Sequence, residues 1–369
     1  VKATIDAASL RAAADWAAKH TGSSLPILSA VVVEAVADLL ICSATDYDIW
    51  AEQTADAHVI TAGRVAVSGR LLKAVTAALP EGRVDLDADD TSLRITAGRV
   101  FRATLPGLAA EDSPARPPAP AAELAMPVGL GRLLAAVAPV AESMERQSTD
   151  KAGLEFVLTA DGLTVATTDR YRLITARLPW PKAVAPPERT LPLPASAVKA
   201  LAELAADDDL LLGLPAESDS VISAAADTRS LACRVMAMPM VEWARLIPTG
   251  TPARSLVCDA AALAGLVKRL APTISDREEA KEQILRVVVG GGMLTLTTDS
   301  AADAVEVDHT EHWDADAWQM AVKAPYLLSV IEAADSERVR IDFTKPNAAW
   351  LVTRPGSTSY RALVMPVRL

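Results

Sequence analysis

Three times along the chain, a run of alternating apolar and polar residues ends in a Thr-Asp pair. The runs are Leu39-Leu40-Ile41-Cys42-Ser43-Ala44-Thr45-Asp46, Leu163-Thr164-Val165-Ala166-Thr167-Thr168-Asp169 and Leu294-Thr295-Leu296-Thr297-Thr298-Asp299. A period of two fits a half-buried strand, and aspartate suits the turn that follows because its carboxylate accepts from nearby backbone N–H groups. The spacing gives an internal repeat of about 125 residues. Between these strands the apolar positions recur at helical spacing, which predicts helices near 7–20, 68–80, 128–146, 195–206, 260–272 and 323–335. Asp6 and Asp259 stand where an N-cap belongs, and Pro127 is a fitting starter for the third helix. Each repeat therefore reads as helix, strands, helix, strands: an α+β domain with two helices laid on antiparallel sheet. Proline-rich breaks at 114–120 and 247–252 divide the chain into expected domains 1–122, 123–250 and 251–369. A further proline-rich run at 179–194 reads as a surface loop inside the second domain.

Composition narrows the picture. Half of the 369 residues are apolar but only 4% are aromatic, so the cores must be built from Ala, Val and Leu. No stretch approaches the ~20 apolar residues of a membrane helix, and Val1-Lys2-Ala3-Thr4 does not open a signal peptide, so a cytoplasmic location is expected. Cys42, Cys233 and Cys258 are too far apart for a metal motif and read as buried thiols. The histidines, His309 and His312 included, lack a third ligand, and no metal or other cofactor is expected. The glycine run Gly290-Gly291-Gly292 lacks the Lys-Ser/Thr of a nucleotide loop and reads as a hairpin turn. Asp46, Asp169 and Asp299 fall in three different repeats, so they cannot converge as a catalytic carboxylate pair. A net charge of −11 argues against a protein coated with nucleic acid, while leaving room for cations on one surface.

Several segments together carry a family resemblance over essentially the whole chain. Leu25-Pro26-Ile27-Leu28, Val67-Ser68-Gly69-Arg70-Leu71-Leu72, Thr168-Asp169-Arg170-Tyr171-Arg172-Leu173 and the ending Leu363-Val364-Met365-Pro366-Val367-Arg368-Leu369 resemble those of the bacterial sliding clamps, the β subunit of DNA polymerase III. The resemblance implies a non-catalytic processivity factor with three tandem clamp domains. It would assemble as a head-to-tail homodimer into a closed ring round double-stranded DNA, near the nucleoid and away from any membrane. It also implies that the helices face the DNA. The predicted helices hold Arg11, Lys19, Arg70, Lys73, Arg132, Arg146, Lys199, Lys268, Arg269 and Lys323, ten of the 36 basic residues, but only six of the 47 acidic ones. Such a surface attracts phosphates without reading bases.

Carried over by position, a pocket for peptides of the clamp loader, polymerases and repair proteins would comprise Thr168, Arg170, Tyr171, Arg172, Leu173, Arg245, Leu246, Tyr326, Met365, Pro366, Val367, Arg368 and Leu369. Met and branched aliphatic residues would form its groove, with Arg and Tyr donors at the rim. The chain departs from the family pattern in having Lys151 where an apolar residue is usual and Val241 where proline is usual. The segments Met236–Met240 and Ala301–Ala304 are unusual too. These departures fit a diverged copy that serves resistance to a clamp-targeting antibiotic, or regulation, as the alternative to bulk replication.

Overall fold

Two of the helices begin under an aspartate, as the sequence predicts. The computed structural model describes residues 1–22, 25–89, 91–118, 122–147, 153–181, 186–205, 210–214, 220–274, 283–290, 292–309 and 318–367. Its α-helices are α1 (Ala7–Ala18), α2 (Gly69–Ala77), α3 (Leu130–Gln147), α4 (Ala195–Leu204), α5 (Ala260–Leu270) and α6 (Ala324–Glu332), each within a few residues of its expected span. Asp6 accepts from the N–H groups of Ala8 and Ser9, and Asp259 accepts from that of Ala262, so each satisfies donors that a helix start leaves orphaned. α3 starts at Leu130 rather than at Pro127, because Gly129 takes φ +83°, a left-handed conformation that no helix continues through.

The chain forms two compact units. The first comprises Val1–Met126 with Asp209–Val235. Its strands form one antiparallel sheet in the order Lys2–Asp6, Arg83–Ala88, Ser92–Ala97, Phe101–Leu108, Gly63–Ser68, Ala30–Val36, Leu39–Thr45, Ile49–Thr61 and then Arg229–Arg234, Val221–Ala226, Leu211–Leu214, Ala122–Ala125. The long strand Ile49–Thr61 is shared. Its first residues pair with Arg229–Arg234 and its last with Lys2–Asp6, so the pairing of the first eight strands closes on itself. α1 and α2 each bury one face against these strands. Ala7, Leu10, Ala13, Ala14, Ala17 and Leu72 meet Val31, Val33, Leu40, Val67, Leu93 and Ile95 in a core of small aliphatic side chains, as the scarcity of aromatics requires.

The second unit comprises Pro127–Asp208 with Met236–Leu369. A nine-stranded sheet runs Arg189–Leu193, Leu154–Thr159, Gly162–Thr168, Arg172–Leu178, Tyr360–Val364, Trp350–Thr353, Arg338–Phe343, Arg254–Asp259, Asp308–His309. A four-stranded sheet runs Ala302–Glu306, Met293–Thr297, Ile284–Gly290, Trp318–Lys323. Gly290 pairs directly with Met293, so the strands on either side of the glycine run form a hairpin; Gly291 lies outside the described residues. α3 and α4 pack so closely that a Cβ on Gly131 would lie 2.1 Å from the carbonyl oxygen of Ala205.

The strand-turn repeat is real, but its third copy is displaced by one residue. Asp46 accepts from the N–H groups of Asp48 and Ile49, and Asp169 from those of Tyr171 and Arg172. In the third copy the same two bonds, from Ser300 and Ala301, go to the hydroxyl of Thr298 and not to Asp299. A hydroxyl accepts in such a turn as a carboxylate does, so the equivalence of Asp299 with the other aspartates fails by one position.

The cysteines are buried, and burial pushes each thiol up to about 12, which leaves them inert near neutral pH. Among the described residues no helix is long and apolar enough to cross a membrane. His312 lies outside the described residues.

Gly131 offers a test of the helix packing. Alanine is the better helix former by about 1 kcal/mol, but here its methyl group would drive into a carbonyl oxygen. Gly131→Ala should therefore destabilise by roughly 1–3 kcal/mol in urea unfolding. Gly265→Ala in α5 would meet only the movable guanidinium of Arg269 and should be neutral or stabilising. Equal effects would show that the α3–α4 approach is not tight.

Candidate partner-binding site

The turn after the strand Gly162–Thr168 organises most of the residues expected to bind partners. Asp169 is fully buried, and each of its oxygens has work: Oδ1 takes the backbone N–H groups of Tyr171 and Arg172, while Oδ2 takes Nε (3.1 Å) and Nη2 (2.6 Å) of Arg172. Arg172 then reaches α6, where its Nη1 donates to Ser329 Oγ at 2.9 Å and its guanidinium lies 4.4 Å from the ring centre of Tyr326. The hydroxyl of Thr168 donates to the carbonyl of Arg172 and accepts from the N–H of Arg170, which sits at φ +73°.

These bonds correct one expectation about the rim. Thr168, Arg172 and Leu173 are buried, and the polar groups of Thr168 and Arg172 are engaged inside the protein. They hold the site in shape. What faces outward is Arg170, Tyr171, Tyr326 in part, and Met365, which is 41% exposed. Tyr171 stacks on Tyr326 with ring centres 5.8 Å apart. Burial raises the Tyr326 phenol above the usual tyrosine value, against the opposing charge of Lys323.

The C-terminal segment is sewn to the same turn. The N–H of Met365 donates to the carbonyl of Tyr171, and the N–H of Val367 donates to the carbonyl of Ala321 in the strand Trp318–Lys323. Tyr171, Tyr326, Met365, Pro366 and Val367 are thus neighbours. Arg245 and Leu246 sit on a short 3-10 turn, Trp243–Leu246, and are well exposed, with Arg245 paired to Glu242 at 2.7 Å. Lys151, Arg368 and Leu369 lie outside the described residues.

Glu155 had no place in the reading of the sequence. It is a buried carboxylate on the sheet, and it accepts from the N–H of Met240 at 2.5 Å and from the indole of Trp243 at 3.0 Å. It therefore pins the segment that carries Arg245 and Leu246. A glutamate inside the apolar run Leu154–Leu158 was the available signal, since a buried carboxylate needs partners.

Most of the helix cations have acidic neighbours. Lys73 and Lys19 both meet Asp15, at 2.6 and 3.5 Å, and hydrogen bonding from Lys73 holds the Asp15 carboxyl below its usual value. Lys268 meets Glu332 (2.7 Å), Arg269 Asp303 (2.8 Å), Arg132 Asp335 (3.7 Å) and Arg146 Glu142 (3.9 Å). Arg11 donates to the carbonyls of Thr76 and Leu79 and so closes the C-terminal end of α2. Lys323 stands over the rings of Tyr171 and Tyr326, apart from the other helix cations. Among the described residues, Arg70 and Lys199 have no such partner.

Losing one side of the Asp169–Arg172 pair should be expensive, because the other charge stays buried. Arg172→Ala is expected to cost about 3–5 kcal/mol in chemical unfolding. A loss below about 1 kcal/mol, the scale of an exposed pair, would mean that the turn does not depend on it.

Comparison with known proteins agrees with this layout. Residues 1–117 match the family model described as DNA polymerase III beta subunit, N-terminal domain, and residues 244–368 match its C-terminal domain. The beta sliding clamp of Streptomyces coelicolor is 28% identical over 98% of this chain and 97% of its own length. That of Micrococcus luteus is 30% identical over 82% of this chain and 96% of its own. The solved structure of Caulobacter crescentus pol III beta, 25% identical, superposes with a TM-score of 0.83 and covers all of both chains. The two family models together match well over half of the chain, and the chain belongs to the DNA polymerase III β subunit family, the bacterial sliding clamps.

Proposed function

We propose that two copies of this chain close head to tail into a ring round double-stranded DNA and serve as a polymerase processivity factor, tethering partners without catalysis. The observation that carries the ring is the pattern of strand pairing. In each seam inside the chain, the strand after the Thr-Asp turn pairs with the last strand of the next repeat: Ile49–Thr61 with Arg229–Arg234, and Arg172–Leu178 with Tyr360–Val364. The corresponding strand of the third repeat, Ala302–Glu306, ends its sheet with one edge unpaired among the described residues. The last strand of the first repeat, Phe101–Leu108, pairs fully with Ser92–Ala97, but its other edge pairs only at Gly107 and Leu108. A second copy supplies the missing neighbour of each. The contact is heterologous, and a ring results when its rotation closes.

The domains of this proposal are 1–122, 123–250 and 251–369. The two compact units cut across them because each seam joins strands of neighbouring repeats. The helix faces would line the tunnel. Exposed ion pairs contribute little to stability, so phosphates can compete for the paired cations, while Arg70 and Lys199 stand ready. The partner pocket would be the neighbourhood of Tyr171, Tyr326, Met365, Pro366 and Val367, completed by Arg170, Arg245, Leu246, Arg368 and Leu369, with Thr168, Arg172 and Leu173 as its framework.

Loading onto nicked circular DNA by a clamp loader tests the ring. Retention on circles with release on linearisation is expected; equal retention on linear DNA would overturn it. Arg70→Ala with Lys199→Ala should weaken retention and flatten its dependence on log salt by about 0.9 for each phosphate no longer neutralised, with unfolding unchanged. Removing Met365–Leu369 takes away apolar surface worth about 1.5–3 kcal/mol per buried anchor. Affinity for a clamp-binding peptide should then fall roughly a hundredfold in calorimetric titration. An unchanged affinity would place the pocket elsewhere.

A further inference from the structure

On the sheet face away from α6, two arginines stand on adjoining strands with no carboxylate paired to either among the described residues. Alternation along the strand Arg172–Leu178 divides its side chains between two faces. Arg172 turns toward α6, and Tyr360 of the adjoining strand does the same, donating its hydroxyl to the Val330 carbonyl. Leu173, Thr175 and Arg177 therefore share the other face. So do Leu363 and Arg361, since Leu173 pairs with Leu363 and Thr175 with Arg361. Thr164 pairs with Arg177 and joins the same face from the next strand. Thr164, Thr175, Arg177 and Arg361 border a recess of about 230 Å³ that Trp243 and Ser359 also line.

The charge in this recess is unbalanced. Arg177 and Arg361 are exposed, and among the described residues neither side chain has a carboxylate or other hydrogen-bond partner. Neighbours on adjacent strands at a diagonal offset lie within about 7–8 Å, so the two cations repel one another. Glu155 belongs to the row of Thr175 on this face, but it spends both oxygens on Met240 and Trp243. Thr175 donates to the carbonyl of Arg361, which leaves the hydroxyl of Thr164 as a further free donor. Two unpaired guanidinium groups and a hydroxyl beside an indole wall are complementary to a carboxylate.

The geometry points to a second subsite for partner peptides, one that takes acidic side chains flanking the apolar anchor. This inference rests on the partner pocket proposed for the neighbourhood of Tyr171 and Met365, and extends it. Leu173, part of the proposed pocket's framework, pairs with Leu363, and Thr175 with Arg361 is the next row on that face. Two strand residues advance about 7 Å and four about 13 Å. A peptide anchored by its apolar side chains near Met365 and Leu173 thus needs only two to four more residues, in extended form, to bring an acid to Arg361 and Arg177. A peptide flank is favoured over DNA because the recess admits a side chain rather than a duplex, and because its face is turned away from the helices. Partners would then be ranked by their flanking charge as well as by their anchors, with the charge acting mainly on encounter and selectivity.

Calorimetric titration of the whole protein tests it with a synthetic decapeptide carrying Leu and Phe anchors, and with versions extended by three glutamates or three glutamines at either end. One glutamate extension should tighten binding about fivefold at low salt, with most of the gain lost near 0.5 M salt, as expected of exposed ion pairs. In Arg177→Ala with Arg361→Ala the gain should vanish while the unextended peptide binds as before. If that peptide binds but glutamate gives no more than glutamine, or the double variant keeps the gain, the subsite is overturned and the pocket stands. If the unextended peptide does not bind at all, the pocket reading falls and takes the subsite with it. A short DNA duplex that binds the protein but not the double variant, with glutamate giving no gain, would assign the recess to nucleic acid and also overturn the inference.

Discussion

One buried ion pair sets the geometry on which the proposed partner site depends. Asp169 cannot sit at zero exposure without compensation, since a lone carboxylate in the interior is among the costliest groups a protein can hold. Two backbone N–H groups and the guanidinium of Arg172 supply it. Because Arg172 also bonds Ser329, the same network that closes the turn fixes it to α6, and because Met365 bonds the carbonyl of Tyr171, the turn in turn fixes the chain's last residues. Strand and helix therefore meet through charge-assisted bonds, and the C-terminus joins them through a backbone bond. The exposed side chains that could touch a partner stand on that rigid base, which is where a recognition surface gains its precision.

Much of this was legible in the sequence, for reasons that can be named. The three Thr-Asp runs and the aspartates at the helix starts announce strand, turn and helix because local bonds decide them, and the structure shows those bonds at Asp6, Asp46, Asp169 and Asp259. The displaced third turn was not legible, since Thr298 and Asp299 are both competent acceptors and only the closed bonds tell them apart. The helix cations show a second limit. Counting them ranks the helices as basic, but pairing joins residues distant in sequence, such as Lys268 with Glu332 and Arg132 with Asp335. Glu155 shows a third. A single glutamate in an apolar run signals that partners exist, yet its partners lie some 85 residues on, and only the fold identifies them.

The sheets show how one plan serves two ends. Where repeats adjoin inside the chain, a strand from each completes the other's sheet, so no edge is left there to recruit a stranger. The face of the second unit turned from α6 is then free to carry function. Leu173 and Leu363 are buried on it, Glu155 ties down the crossing segment, and Arg177 and Arg361 remain in solvent. Apolar, structural and charged rows follow one another at the spacing of a pleat.

The alanine-built core has a consequence for how such a chain changes over time. α1 contributes Ala7, Ala13, Ala14 and Ala17 to the interior, and these side chains have no rotamers to freeze and little volume to lose. Shrinking substitutions there are limited to glycine. Growth is the hazard, since an added methyl group must displace a neighbour in an interior already packed as densely as an organic crystal. The interior of α1 is therefore protected against the common lesion, a cavity, and exposed to the opposite one. Drift in this lineage should accumulate on the strands, where Val, Ile and Leu can exchange with volume roughly kept, while these alanine positions of α1 stay small.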